Sequence, residues 1–452
     1  MKQDKHTTLT GSRTTSAEVC RWVQELFRLH ARIAQRFTRP EPRQRALAYL
    51  EGILSETARK NGWQLAEHAG EARPDGMQRL LSQAVWDTDG VRDDLRAYVL
   101  EQLGTESVVL VIDETGFPKR GTKSAGVAMQ YCGSSGQVEN CQVGVFLSYV
   151  TARGHCLIDR ELYLPADWLD DPARCRQAHI PEKVHFQTKP ELAGSMVERL
   201  LQASVPLVWV VADCVYGSNL DLRTFLHAHA LAYVLAVPKS EPVEFLATTG
   251  RRREEAALVE TYLVEPPTWQ RLSMSQGTKG PRLFEWTAIP MLERFQDDGR
   301  HFLLIRRDIA DPHEKRFYFV FAPPGTSLAE MVRAIGARWH VEEDFENAKD
   351  MGLDHYEVRS FTGWYRHVTL VRLSAAYLSG ICAQAHVSCA GAGLSMPVLL
   401  PLTVPEVRHL LARLIWPASS SVRWVLAWSW WRRVHQSWAS YYHTKRRRLK
   451  LA

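Results

Sequence analysis

Two short apolar runs, rich in β-branched residues, constrain the possible folds most strongly. Residues 107–112 (SVVLVI) and 205–211 (VPLVWVV) have the length of strands and show no polar alternation. Such runs are typical of strands that are buried on both faces. Together with the helical patterns around them, they predict a mixed α/β layer at the centre of the molecule. Further strands of this layer are predicted at 137–150, 155–164 and 232–237, and helices at 190–203 and 220–229.

The segments on either side of this layer have different patterns. Before it, residues 18–104 carry helical apolar periodicity, and Ser16 is placed to cap the first helix. After it, strand-like runs near 258–264, 282–288, 301–306 and 316–321 predict a mostly β insertion. Helices are predicted again at 327–349, at 362–386 and twice in the tail from residue 404. The predicted domains are 1–104, 105–238, 239–325, 326–390 and 391–452.

Composition excludes several classes of protein. The chain has 452 residues, of which 45% are hydrophobic and 23% charged, so it is expected to be globular rather than disordered. It has no run of 18 apolar residues and no apolar stretch at its start, so neither a membrane span nor a secretory signal is expected. Eight cysteines without a CxxC pair predict free thiols in a reducing cytoplasm, not a structural zinc site. No phosphate-binding GxxxxGK[ST] loop occurs, so no nucleotide cofactor is expected.

Positive charge is concentrated at the end of the chain. The formal net charge is only +6, but no acidic residue follows Glu406, while residues 421–450 carry eight lysines and arginines. This distribution favours nucleic acid as the partner, with a membrane-surface helix as the alternative. Within the tail, Trp424, Trp428 and Trp431 share one helical stripe and predict a packing face.

Two aspartates follow the two apolar runs. Asp113 comes directly after the first run, and Asp213 comes two residues after the second, before a turn that contains Gly217. Ligands of α/β proteins commonly bind at the carboxyl ends of strands, and the two carboxylates can converge there if their strands are neighbours. The alternative is that each aspartate only caps a helix or begins a turn.

A third acidic residue lies in the helical segment ARWHVEEDFENAKDMGLDHY. At 100° per residue, Arg338, Glu342 and Lys349 lie on one stripe, which Glu346 shares, while Glu343 is displaced by about a quarter turn. The stripe predicts a carboxylate that is positioned between two cations. The alternative is an ordinary solvated face with ion pairs between successive turns.

If these three carboxylates converge, they predict a metal site. Carboxylates within about 4 Å repel each other by roughly 4 kcal/mol per pair at an effective dielectric of 20, so they need protonation or a compensating charge. Oxygen ligands favour Mg²⁺ or Mn²⁺ over zinc. Two such ions could hold the attacking and leaving oxygens of a phosphodiester exchange. By contrast, the spacing of the histidines predicts no metal site; the residues concerned are His155, His185, His340 and His367.

In this order, Asp113, Asp213 and Glu342 resemble the DDE triad of bacterial insertion-sequence transposases. The helix is similar to a subgroup signature of Tyr, two residues, Arg, three residues, Glu, six residues and Lys, except that Ile335 stands at the Tyr position. The 128 residues between Asp213 and Glu342 also fit this subgroup, which carries a β-rich insertion there. Further similarities are the helical N-terminus, GWYRH at 363–367, TKGPR at 278–282 and the Trp-rich tail.

The resemblance implies a fold and a set of site residues. The fold would be α/β, with an RNase H-like mixed-sheet core interrupted by a mostly β insertion, an N-terminal helical domain and a helical basic C-terminal tail. Asp113, Asp213 and Glu342 would be catalytic and would bind two Mg²⁺ ions, with Mn²⁺ as a substitute. The DNA-binding residues would be Arg338, Lys349, Lys119, Lys279, Arg446, Arg447 and Arg448.

The resemblance also implies partners and a reaction. A cytoplasmic, nucleoid-associated transposase would cleave and join double-stranded DNA at element ends and target, as a homodimer on DNA, without a membrane or nucleotide cofactor. Residues 1–104 would recognise the element ends. Two alternatives stay open: a domesticated relative that binds DNA without cleavage, and a nuclease that hydrolyses DNA without strand transfer. The intact acidic residues argue against the first, because binding alone does not need carboxylates facing phosphates.

Overall fold

A mixed sheet forms the centre of the computed structural model, which describes residues 14–247, 250–263, 265–277, 280–292, 299–389, 401–416 and 421–451. Its first six strands are β1 (Val109–Pro118), β2 (Ala128–Cys132), β3 (Gln137–Thr151), β4 (Gly154–Tyr163), β5 (Trp209–Ala212) and β6 (Ala232–Val237). Strand β3 is antiparallel to β1, β2 and β4, whereas β5 lies parallel between β1 and β6. The order β4-β3-β1-β5-β6 is that of an RNase H-like core, so the predicted mixed-sheet α/β core is confirmed.

The β-rich segment 239–325 mostly continues this sheet. Its strands are β7 (Pro242–Ala247), β8 (Gly250–Glu255), β9 (Gln270–Gly277), β10 (Gly280–Pro290), β11 (His301–Arg307) and β12 (Lys315–Phe321). Strand β12 pairs with β6, and β11, β10 and β9 follow in turn, while β7 and β8 form a separate two-stranded sheet. The prediction of a strand near 258–264 is wrong, because Val259–Tyr262 is a short 3-10 helix.

Helices surround the sheet and continue to the end of the described chain. The first five are α1 (Ser16–Ile33), α2 (Pro40–Leu54), α3 (Gly62–His68), α4 (Asp75–Ser82) and α5 (Thr88–Leu103). The next five are α6 (Ala166–Leu169), α7 (Pro172–Gln177), α8 (Lys189–Gln202), α9 (Cys214–Gly217) and α10 (Leu220–Ala228). The last five are α11 (Leu328–Gly336), α12 (Trp339–Asp350), α13 (Phe361–Cys389), α14 (Val404–Leu414) and α15 (Val422–Leu451).

Two helix boundaries differ from the prediction. Helix α1 is capped by Thr15, not by Ser16, because the Thr15 side chain and Glu18 form a reciprocal capping box. The segment predicted as one helix over 327–349 is two, α11 and α12, separated by Ala337 and Arg338. The chain packs closely here, since a Cβ atom on Gly336 would lie 2.0 Å from the carbonyl oxygen of Met274 in β9. Only glycine fits this contact between the α11 terminus and the sheet.

Helix α13 joins the N-terminal helices to the sheet. It packs on β4 and on α2, α4 and α5, and all of these belong to one apolar core. Polar contacts link the same parts: the Tyr49 hydroxyl lies 2.7 Å from His367 Nδ1, and the Tyr377 hydroxyl donates to the Trp22 carbonyl. Residues Phe361–Ala385 are long and apolar enough to cross a membrane, but 89% of the apolar 18-residue stretch within them is buried inside the protein. This helix is therefore explained as the core helix of the fold.

The tryptophan stripe of α15 packs as predicted. Trp428 is buried, and Trp431 meets the edge of Trp63 in α3 with ring centroids 5.1 Å apart. Trp424 donates from Nε1 to the Glu67 carbonyl at 3.2 Å. The stripe therefore fastens the first half of the basic helix to the N-terminal helices.

Candidate active site

The two predicted aspartates lie side by side where two neighbouring strands stop pairing. Strands β1 and β5 are parallel, and their last paired residues are Ile112 and Ala212. Asp113 and Asp213 each follow a member of this pair, so the matched register brings both carboxylates to the same edge of the sheet. Asp113 stays within β1, which continues to Pro118, and its side chain is 17% exposed. The two aspartates therefore do converge, which the sequence alone could not decide.

Arg338 joins the third carboxylate to the first. Its Nη1 atom lies 3.2 Å from Asp113 Oδ2, and its Nη2 atom lies 3.2 Å from Glu342 Oε1. Glu342 is in the first turn of α12 and is 43% exposed, whereas Arg338 directly precedes that helix. A single guanidinium therefore compensates two of the three acidic residues and holds α12 against the end of β1.

Burial and nearby negative charge make the two aspartates hard to ionise. Burial raises the pKa of Asp113 to about 7, Arg338 opposes the rise, and the charge of Asp213 adds to it. Burial also raises the pKa of Asp213, and the nearby Glu114 charge acts in the same direction. Both carboxyl groups are therefore poised to exchange a proton for another positive charge.

Asp213 also has the structural role that was the alternative prediction. Its side chain caps the short helix α9 by accepting from the Val215 backbone N–H at 2.9 Å. The turn needs Gly217, because a Cβ atom there would lie 1.9 Å from the Ala236 carbonyl oxygen in β6. This close approach fixes α9, and with it Asp213, against the sheet. Cys214, which follows Asp213, is exposed.

Glu114 is a residue of the site that the sequence analysis missed. It accepts hydrogen bonds from the Lys189 ammonium at 2.7 Å and from the hydroxyl of the fully buried Tyr216. These contacts connect β1 to α8 and α9 beside the two aspartates. The only signal in the sequence was its position next to Asp113, which does not distinguish a buried acid from an exposed one.

Three arginines of the β-rich segment, here called the basic wall, line the same cleft of about 370 Å³ as Asp213 and Glu342. Besides Asp213, Glu342 and Arg338, the lining includes Arg282 from β10, Arg306 from β11 and Arg316 from β12. The guanidinium of Arg282 lies 4.5 Å from the ring centroid of Trp339, and that of Arg306 lies 4.3 Å from Phe284. The β-rich segment therefore supplies fixed positive charge next to the carboxylates.

The other predicted DNA-binding residues are dispersed. Lys119 lies over the Tyr356 ring, 3.5 Å from its centroid, and burial lowers its pKa to about 8. Lys349 is half-buried on α12, and burial lowers its pKa as well. Arg446 is exposed on α15, the helix that also carries Arg447 and Arg448. Lys279 lies outside the described residues.

Two of the four histidines considered in the sequence analysis, His155 and His340, lie together in the structure, which their spacing in the sequence did not indicate. Among the described residues, one set of three side chains brings possible metal-ligand atoms within 4.8 Å of one another, and it is formed by His155, His340 and Glu343. His155 lies on β4 and the other two on α12, so the fold unites residues that are far apart in sequence. Burial lowers the pKa of His155, but the carboxylates of Asp344 and Glu343 outweigh burial and raise the pKa to about 10.

Comparisons with known proteins place the chain among transposase-like sequences. A family model described as "DDE superfamily endonuclease" matches residues 32–294, more than half of the chain. This range includes Asp113 and Asp213, while Glu342 and the subgroup signature around it lie beyond it. A probable transposase for insertion sequence element IS701 from Microchaete diplosiphon is 28% identical over 232 residues, which are 51% of this chain and 55% of that protein. The chain thus spans about half the length of this curated relative.

A solved structure also resembles the chain weakly. It is the synaptic complex of piggyBac transposase with hairpin DNA, and the match covers 93% of this chain and 81% of that one. The sequence identity is 11% and the TM-score 0.34, too low to carry a conclusion about this chain.

Proposed function

The chain belongs to the DDE superfamily of endonucleases, and we propose that it is a DNA transposase that cuts and joins strands at the ends of an insertion sequence. The observation that carries the proposal is the matched register of β1 and β5, which places Asp113 beside Asp213, with Glu342 tied to Asp113 through Arg338. The likeness to a probable insertion-sequence transposase supports the choice of reaction. Membership of the subgroup with the Tyr, Arg, Glu and Lys signature is also only proposed, since Ile335 stands at its Tyr position.

The acidic residues fit the divalent metal that the family uses. Their donor atoms are all carboxylate oxygens, which Mg²⁺ and Mn²⁺ prefer. Asp113 is mostly buried with a pKa of about 7, so a cation that replaces its proton would relieve an unfavourable state. We assign Asp113, Asp213 and Glu342 as the residues that would hold two ions. Such ions, when bound, supply positive charge to the attacking and leaving oxygens of a phosphodiester.

The protein's own cations would then bind DNA. Arg338 now neutralises Asp113 and Glu342, and a metal ion would free its guanidinium to pair with a phosphate. Arg282 and Arg306, held over aromatic rings at the cleft, would orient the backbone of the same strand. Fixed cations of this kind stabilise charge that develops on the phosphate. Lys349 and the basic end of α15 would extend the interface along the duplex.

We propose that the working form is a homodimer on two element ends, acting at the nucleoid in the cytoplasm. The decisive experiment incubates the purified chain with its flanking terminal sequences, a target plasmid and Mg²⁺. Transposition requires cuts at the element ends and covalent joining of the cut ends to the target. Cuts without joining would identify a nuclease, and specific binding without cuts would identify a DNA-binding protein of transposase origin.

The basic end of α15 gives a prediction about affinity. Replacing the lysines and arginines between residues 445 and 450 with glutamine should weaken binding to element-end and random DNA alike, because interactions with phosphates carry no sequence information. The slope of log affinity against log salt should fall by roughly 0.9 for each phosphate that the variant no longer neutralises. Gel-shift titrations at several salt concentrations measure both quantities.

The matched control is deletion of 445–452, which removes the same charges together with the helix end. If both variants weaken binding equally, charge alone explains the effect. A loss confined to element-end DNA would contradict the prediction and move sequence recognition from the N-terminal helices into the tail.

A further inference from the structure

A second side-chain cluster lies beside the acidic site and is not used by the proposed reaction. Glu343 Oε2 lies 3.3 Å from His155 Nε2 and 3.0 Å from His340 Nδ1, and the two imidazole rings stack with centroids 4.4 Å apart. His155 is in β4, whereas His340 and Glu343 are in the first turns of α12. The cluster therefore connects the sheet to the helix that carries Glu342.

From this geometry we propose that His155, His340 and Glu343 form a binding site for a transition-metal ion such as Zn²⁺. In a tetrahedral zinc site, bonds of about 2.0–2.1 Å place neighbouring ligand atoms about 3.3 Å apart. The separations of 3.0 and 3.3 Å around Glu343 Oε2 are close to that value. Two imidazoles with one carboxylate are a donor set that suits zinc and other transition metals, whereas Mg²⁺ prefers oxygen alone.

The surroundings of His155 have the arrangement that metal-binding histidines need. Its Nδ1 atom lies 2.8 Å from Asp344 Oδ1, which leaves Nε2 to face Glu343 and His340. Asp344 is buried and is itself fixed by a hydrogen bond from the Ser148 hydroxyl. Ligating histidines commonly donate their other ring N–H to such a carboxylate, which sets the tautomer and the orientation of the ring.

Charge and access also suit a divalent ion. A divalent ion would replace the proton that His155 otherwise holds between Glu343 and Asp344, and so would keep positive charge beside both carboxylates. The side chains of His155, His340 and Glu343 are 20%, 40% and 44% exposed, so an ion can enter and a water molecule can complete its coordination. Zinc sites with three protein ligands and one open position have this form. The ion would fix the first turns of α12 to β4 and so act as a positioning device for Glu342.

The test uses the full chain, stripped with EDTA and returned to buffer, and titrated with Zn²⁺ or Co²⁺ without DNA. Calorimetry should give one tight site, and Co²⁺ should show visible absorption without the intense thiolate band that the free cysteines would produce. Glu343→Gln and His340→Ala should each lower affinity at least tenfold and abolish the rise in melting temperature with Zn²⁺. His340 is well exposed, so its variant should fold, which circular dichroism checks.

Two controls separate this site from the acidic one. Glu346→Gln makes the same charge change on an exposed position of the same helix and should bind Zn²⁺ like the wild type. Asp113→Asn should also keep the zinc site, since Asp113 is outside the cluster. Equal Zn²⁺ affinity in the wild type and Glu343→Gln, or no binding at micromolar Zn²⁺, would overturn the proposal. Neither outcome decides whether the chain cleaves DNA, so the transposase proposal is tested separately.

Discussion

Glu342→Gln is expected to reduce Mg²⁺-dependent cleavage of element-end DNA at least about a thousandfold, which corresponds to about 4 kcal/mol of transition-state stabilisation. The substitution keeps the size and the hydrogen-bonding shape of the side chain but removes its charge. Arg338 would keep its ion pair with Asp113, so the fold around the start of α12 should survive. Binding of end DNA should therefore persist while cleavage is abolished. Single-turnover cleavage and gel-shift assays on the same preparation measure the two effects.

The acidic residues next to Glu342 on α12 are its matched controls. Glu346→Gln removes the same charge one turn further along the exposed face and should leave cleavage within a few fold of the wild type. Glu343→Gln acts at the histidine cluster, so we expect a smaller loss of cleavage than for Glu342→Gln. Near-normal cleavage by Glu342→Gln, together with inactive Glu346→Gln, would show that the wrong turn of the helix has been assigned to the metal site.

The aspartates extend the same prediction to the strand ends. Asp113→Asn and Asp213→Asn should each cause a loss as large as that of Glu342→Gln, because each removes a charged metal ligand. Asp213 also caps α9, and an asparagine can still accept from the Val215 N–H, so the turn should be retained. Asp221→Asn, at an exposed position of α10, is the control for an aspartate in the same region. If Asp213→Asn keeps wild-type cleavage, the residue is only a helix cap.

Much of the core could be predicted from sequence because local patterns there agree with tertiary structure. The two apolar runs become the neighbouring parallel strands β1 and β5, and the long strands β3 and β4 begin and end within two residues of the prediction. The aspartates could be selected because the carboxyl end of a buried strand is a rigid position at a sheet edge. What the sequence could not give was the register, which decides that Ile112 and Ala212 pair.

Most of the features that sequence analysis missed depend on distant parts of the chain; strand β8 is the exception, because it pairs with the adjacent strand β7. Strand β8 carries the sequence GRRREE, whose charges obscure its pairing with β7. The break between α11 and α12 comes directly after Gly336, which approaches the carbonyl oxygen of Met274 in the distant strand β9. The basic wall and the histidine cluster arise in the same way, because sheet order and helix packing bring together residues that no spacing rule connects.

The second large expected effect is on the free energy of unfolding, and it follows from the pKa of Asp113. In the unfolded chain its carboxyl has the ordinary pKa of 3.8, whereas burial raises it to about 7 in the folded protein. The folded state therefore binds this proton more tightly, and the stabilisation is complete below pH 4. It is lost as the pH rises towards 7. Three pH units correspond to a loss on the order of 4 kcal/mol. Without metal, the wild type should thus lose stability between about pH 4 and pH 7 through this one group.

Asp113→Asn isolates that contribution because asparagine does not ionise. Urea unfolding in EDTA should give nearly equal stabilities for the wild type and the variant at pH 4, and a more stable variant at pH 8. All other titrating groups are common to both proteins, so the difference between the two curves reports Asp113 together with its charge coupling to Asp213. A difference that does not change with pH would mean that Asp113 has an ordinary pKa. It would contradict the assignment of Asp113 as a buried carboxyl that is hard to ionise.

Divalent metal should reverse the order of stability of the wild type and Asp113→Asn. At pH 8, Mg²⁺ that binds only the folded wild type stabilises it by RT ln(1 + [L]/Kd), about 2.7 kcal/mol at a hundred times Kd. Asp113→Asn should gain much less, because the ligand that the ion would neutralise is gone. Arg338 already compensates part of the charge, and Mg²⁺ is rarely held by protein ligands alone, so end DNA should enlarge the wild-type gain. Equal gains in both proteins, with and without DNA, would place the Mg²⁺ effect outside the Asp113 site and remove the physical basis for two-metal cleavage here.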